Sequence, residues 1–191
     1  DGDDNNLGTS ESEAFLTIQR ALEMIAPNDD DPVTIFLTEG TFSPSTTGEN
    51  FPIIMMSNVN LIGQGEEVTI LDAMATGRVL TMEHCDNTTI SHLTITGGLA
   101  EGESPNNSGG GMRIEDSNPT LTHVTITGNT AYVNGGGMYV YDSHPTLTHV
   151  TITNNTADDG GGMYLSGSNP TFTHVTITDN TAGSGGGMRL E

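Results

Sequence analysis

Between Thr120 and Ala131 the chain reads TLTHVTITGNTA, with apolar Leu121, Val124 and Ile126 set among threonines. The alternation has period two, as in a strand with one face inward, but it slips by one residue at His123. Such a slip predicts two short strands meeting at a corner, with the slip residue in the corner. Nearly the same words return around His149 and His174, and looser ones around His92. A further strand opens with Gly-Gly-Gly-Met. Its Met and the aliphatic residue two places on point inward, and Arg113, Tyr139, Tyr164 and Arg189 point outward. Gly-rich and Asn-Thr-Ala segments supply the turns, because Gly and Asn tolerate positive φ.

The glycine triplets begin at Gly109, Gly135, Gly160 and Gly185, at spacings of 26, 25 and 25, and the histidines follow at 31, 26 and 25. A unit this short cannot bury its own apolar side, so units must stack. Stacking coils ~4.8 Å apart puts equivalent residues in columns. Met112, Met138, Met163 and Met188 form one internal column, as filler of a narrow core rather than a soft-metal site. Leu121, Leu147 and Phe172 form another. His92, His123, His149 and His174 line one corner as a stacked ladder rather than a zinc site. Their protonation would set like charges about 5 Å apart, so stability is expected to fall below about pH 6.

Residues 33–98 show the same strand chemistry with looser repeats, so residues 33–191 make about six coils, regular from 109 on. Ahead of them, in residues 1–32, FLTIQRALEMIAP places Phe15, Ile18, Leu22 and Ile25 at helical spacing, and Pro27 ends the run. An amphipathic helix there would cap the first coil and hide its backbone edge. At the other end GGGMRLE opens a coil and does not complete it. The predicted fold is all-β: a parallel solenoid of about six coils with an N-terminal capping α-helix.

Charge narrows the partners. The formal net charge is −21, with 25 acidic residues against four arginines and no lysine. A surface this acidic repels nucleic acid and anionic membranes and can recruit divalent cations. Oxygen ligands gather on loops at Asp1, Asp3 and Asp4, and again at Asp29, Asp30 and Asp31, as Ca²⁺ prefers, though neither group has a known calcium-loop spacing. Ca²⁺ is the one cofactor these residues suggest. Cys85 is alone, so it forms no internal disulfide, and its alternating surroundings make it a small core residue. No apolar run is long enough to span a bilayer, so no membrane insertion is expected, and the opening DGDDNN reads as a processed or trimmed start.

DGDDNNLGTSESEAFLTIQRAL resembles the N-terminal signature of right-handed parallel β-helix proteins of the pectate-lyase-like superfamily. VTIFLTEGTFS and VNLIGQGEEVTILDA are similar to that superfamily's first coils. The later repeats, with Gly-Gly-x-x-Tyr and Ile-x-x-Asn, resemble those of polymorphic outer-membrane adhesins and of large bacterial surface proteins. The resemblance implies a right-handed helix of coils and a secreted or cell-surface address. It leaves function open, because the fold hosts enzymes, adhesins and fibres alike.

For a polysaccharide lyase, the resemblance implies an Arg or Lys base beside calcium-binding carboxylates. There is no Lys, and Arg113 and Arg189 sit in a repeat position shared with Tyr139 and Tyr164, whereas a catalytic centre breaks a repeat. Hydrolases of this fold need grouped aspartates, and Asp116 and Asp142 stand at turns without a cluster. The chain is therefore expected to be non-catalytic, with an adhesive, scaffolding or assembly role. Its partner would be a second copy, head to tail, or a surface polysaccharide or protein. Arg113, Tyr139, Tyr141, Tyr164 and Arg189, with Glu115, Ser166 and the loop 99–108 beside them, form the candidate binding stripe. A carbohydrate-active enzyme or carbohydrate-binding module is the alternative reading of that stripe. A third reading takes the Thr-x-Thr pairs at 94/96, 125/127, 151/153 and 176/178 as an ice-ordering face.

Overall fold

The computed structural model describes residues 2–191. The chain winds as a right-handed parallel β-helix of about six coils. Its longest sheet stacks Val33–Phe36, Val59–Ile62, Thr89–Thr96, Thr120–Thr127, Thr146–Thr153 and Thr171–Thr173 in parallel, and Thr176–Thr178 completes the last rung. A second sheet runs from Ile53–Ile54 through Leu80–Glu83, Met112–Glu115, Met138–Tyr141 and Met163–Ser166 to Met188–Leu190. A narrow third sheet joins Leu99–Ala100, Thr130–Ala131, Thr156–Asp159 and Thr181–Ser184.

The register is the one the repeats predict. Leu121 pairs with Leu147, Val124 with Val150 and Ile126 with Ile152, and Met138 pairs with both Met112 and Met163. These side chains fill one continuous core running the length of the rod. The slip residue does turn the corner: His92, His123, His149 and His174 take φ of 56°, 52°, 53° and 52°. That left-handed conformation is uncommon for a residue with a β-carbon, and His, like Asn and Asp, occurs in it more often than most. It swings the outward threonines on either side of the corner onto two different faces.

The cap helix spans Ile18–Met24, shorter than the Phe15–Ile25 spacing suggests. Thr17 stops it, accepting a hydrogen bond from the Arg20 amide, while the Asp4 carboxylate takes the Leu16 and Thr17 amides. Ile18 and Leu22 still join the buried core, whereas Phe15 lies outside the helix and packs against Gly8. Glu49, 1% exposed, reaches across to accept the Ile18 and Gln19 amides. Burial raises its carboxyl above the ordinary value, against the lowering effect of those two bonds.

Phe172, which completes the Leu121–Leu147 column, is 40% exposed, and Leu190 is 70% exposed. Neither has a further coil to lie against among the described residues.

Candidate functional site

The outward column of the second sheet forms in register: Thr81, Arg113, Tyr139, Tyr164 and Arg189 stand one above another. Beside it run Glu83, Glu115, Tyr141 and Ser166. The strands place these side chains on one face, but they are not equally reachable. Arg113 and Tyr164 are buried, Tyr139 and Arg189 are half-buried, and Tyr141 is exposed.

Chemistry within the column explains the burial. Arg113 is ion-paired with both Glu83 and Glu115, and Arg189 with Asp159. Tyr164 donates its hydroxyl hydrogen bond to Glu191. The Tyr139 and Tyr164 rings stack 5.6 Å apart at 13°, so each turns a face to the other rather than to solvent. Burial raises the Tyr139 phenol above its ordinary value. The stripe thus presents ring edges, hydroxyls and paired charges.

Arg78 escaped the sequence reading because it belongs to no repeat. It is buried, and its guanidinium donates to the carbonyls of Pro105, Asn106, Ser108 and Gly109 and to the Thr81 hydroxyl. These bonds staple the 99–108 loop against the second sheet, as a wall beside the stripe. Burial lowers the Arg78 pKa to about 10, and repulsion from Arg113 adds to the effect. A cleft of about 240 Å³ opens on one side of the loop, between Phe51, Pro52, Thr76, Leu99 and Glu101. A smaller one of about 130 Å³ opens on the other, between Pro105, Asn134 and Tyr139.

The histidines stack with ring centroids 4.9, 4.9 and 4.6 Å apart and nearly parallel planes. Imidazole lone pairs lie in the ring plane, so parallel stacked rings do not converge on a shared ion. Two internal ladders also went unread. Asn129 and Asn155 are fully buried, each hydrogen-bonding through Nδ2 to the next coil's asparagine and to backbone carbonyls. Ser117, Ser143 and Ser168 form the second, each hydroxyl accepting an amide from the coil before. The only sign of either in the sequence is that the residue recurs once per coil.

Three of the loop aspartates accept from amide groups of the chain. Asp3 accepts from Asn5, which holds its carboxyl below the ordinary value, Asp4 caps the residues before the helix, and Asp29 accepts from Asn58. Asp30 and Asp31 are exposed, and Asp1 lies outside the described residues. No three His, Cys, Asp or Glu side chains converge as a metal-holding set among the described residues. Cys85 is buried, with burial raising its thiol, as expected of a core residue. No helix among the described residues is long and apolar enough to cross a membrane.

Among solved structures, the chain is similar to a pectin methylesterase mutant in complex with a hexasaccharide, at 13% identity and TM-score 0.44, covering 82% of this chain and 54% of that one. It is also similar to pectin methylesterase PemA from Erwinia chrysanthemi, at 12% identity and TM-score 0.43, covering 88% and 66%. A third, a pectin methylesterase in another hexasaccharide complex, gives 13% identity and TM-score 0.43, with 89% and 65% covered. The chain thus spans about half to two-thirds of their length. No curated protein matches it. One family profile runs along almost all of the chain, from residue 1 to residue 186, and on that match the chain belongs to the family described as "Protein of unknown function (DUF1565)".

Proposed function

We propose that this chain is a non-catalytic β-helix rod, secreted or displayed at a cell surface, that works through shape and assembly. The observation that carries the reading is the internal pairing of the candidate stripe. Arg113 is occupied by two carboxylates, Arg189 by a third, and the Tyr139 and Tyr164 rings by each other, which leaves Tyr141 as the one exposed ring of the stripe. A lyase base needs a free, poised side chain, and a sugar-binding platform needs an exposed ring face. Neither is offered by this column.

The reading is tested with pectin, polygalacturonate and alginate, following unsaturated products by absorbance and released methanol by a coupled assay. No turnover is expected; turnover abolished by Arg113→Ala would overturn the reading in favour of a carbohydrate-active enzyme. A second reading has one observation in its favour: Thr125, Thr151 and Thr176, and Thr127, Thr153 and Thr178, stand in register along one face. Inhibition of ice recrystallisation, lost on Thr151→Leu, would support an ice-ordering role. The array is shorter than the sequence suggests, because Thr94 is buried and donates to the Glu66 carbonyl.

A further inference from the structure

Arg78 stands apart from the other three arginines. Arg20 is ion-paired with Glu23, Arg113 with Glu83 and Glu115, and Arg189 with Asp159. Arg78 is 8% exposed and has no carboxylate partner among the described residues, in a chain with 25 acidic side chains. Its hydrogen bonds go to loop carbonyls and to the Thr81 hydroxyl, all uncharged. Carbonyl dipoles satisfy the donors of a guanidinium but leave its charge uncompensated, and a buried cation without a counter-ion is costly. After burial itself, the strongest influence on Arg78 is Arg113, of the same sign, which outweighs Glu83.

The same side chain lines the cleft of about 240 Å³, which is bordered by turns of three successive coils. Phe51 and Pro52 come from one turn, Ala75 and Arg78 from the next, and Leu99 and Glu101 from the one after. Apolar walls around a single buried charge are the usual make-up of a ligand pocket, and a volume below the ~300–1,000 Å³ of drug-sized sites sets a compact ligand. Donors remain for an oxyanion. Nη1 of Arg78 keeps one of its two hydrogens after the bond to Thr81. The Gly77 and Arg78 amides donate to no other group of the protein among the described residues. Glu101, exposed, is the one carboxylate among the cleft's lining residues.

We propose that this cleft is a ligand site for a small carboxylate bearing a compact apolar group. Arg78 and the Gly77 and Arg78 amides take the carboxylate, and Phe51, Pro52 and Leu99 cover the apolar part. The site lies off the Arg113–Tyr139–Tyr164 stripe and does not depend on the assembly reading above. Benzoate is the probe, followed through the amide resonances of the nitrogen-15-labelled 191-residue chain. Saturable shifts centred on Gly77, Arg78 and Leu99 are expected, with a Kd of about 1 mM or below. Benzamide, the neutral isostere, is expected to bind at least about ten-fold more weakly.

Two substitutions at exposed positions leave the bonds of Arg78 to the loop in place. Glu101→Gln removes a like charge and should tighten benzoate about three-fold, a gain that loss of structure does not produce. Ala75→Asp sets a carboxylate of the protein's own in the cleft, at a φ of 57° that Asp tolerates better than Ala. It should weaken benzoate at least about ten-fold. No saturable shift up to about 20 mM benzoate, or equal affinity for benzamide, overturns the site. So does an unchanged Kd in either variant. Sugar turnover removes the rod reading and leaves this site untouched.

Discussion

A histidine in the left-handed region, four times over, is the most informative residue choice in this chain. At φ near 53° His149 turns the strand through a corner and stacks its ring between His123 and His174. The backbone requirement and the stacking are separable. His149→Asn keeps a residue that tolerates the turn and loses only the stack, so a small loss is expected. His149→Val adds the β-branched cost of positive φ, about 1–2 kcal/mol more, and urea melts of the two variants check the order. Glu49 provides the clearest pH effect. Its folded-state pKa is raised, so its contribution to stability is fully present below the ordinary glutamate value and is lost as pH rises through the raised, folded-state value. Glu49→Gln should remove that component of the pH dependence and, at neutral pH, cost about 1–3 kcal/mol by setting an amide NH₂ against a backbone donor. Denaturant melts of both proteins at pH 4.5 and 7 would show the difference. The His corners were legible because a slipped alternation marks them. Glu49 and Arg78 were not, because each acts once and its partners lie about thirty residues away in sequence.

At the scale of the element, the strands were legible to their inward residues, because period two separates core from surface in each coil. The exposure of outward residues was not. An outward slot says only that a side chain leaves the core. Arg113 and Tyr164 leave it and are buried again by Glu83, Glu115, Glu191 and each other's neighbours. The glycine triplets read as turns, but their middle members answer a packing demand. A β-carbon on Gly136 would press into the carbonyls of Thr156 and Gly161, where the second and third sheets meet. Gly136→Ala is therefore expected to destabilise by about 1–3 kcal/mol through overpacking, seen as a lower melting temperature with unchanged strand content by circular dichroism. The cap helix was placed correctly but overextended, since hydrophobic spacing cannot report that Asp4 and Thr17 hold the preceding residues out of it.

Across the whole molecule, repetition fixes register so firmly that the coils are interchangeable. Cutting out residues 135–159 would join Asn134 to Gly160 and leave the Met, Leu, His, Asn and Ser columns each one member shorter but otherwise intact. The excised protein should fold with similar cooperativity, and small-angle scattering should show it foreshortened by about 4.8 Å, one strand spacing. A cut of thirteen residues, half a turn, should instead leave an aggregate. Length in this molecule is therefore counted rather than measured: a gene that gained or lost whole coils would change the span of the rod in fixed steps, without having to invent a new interior.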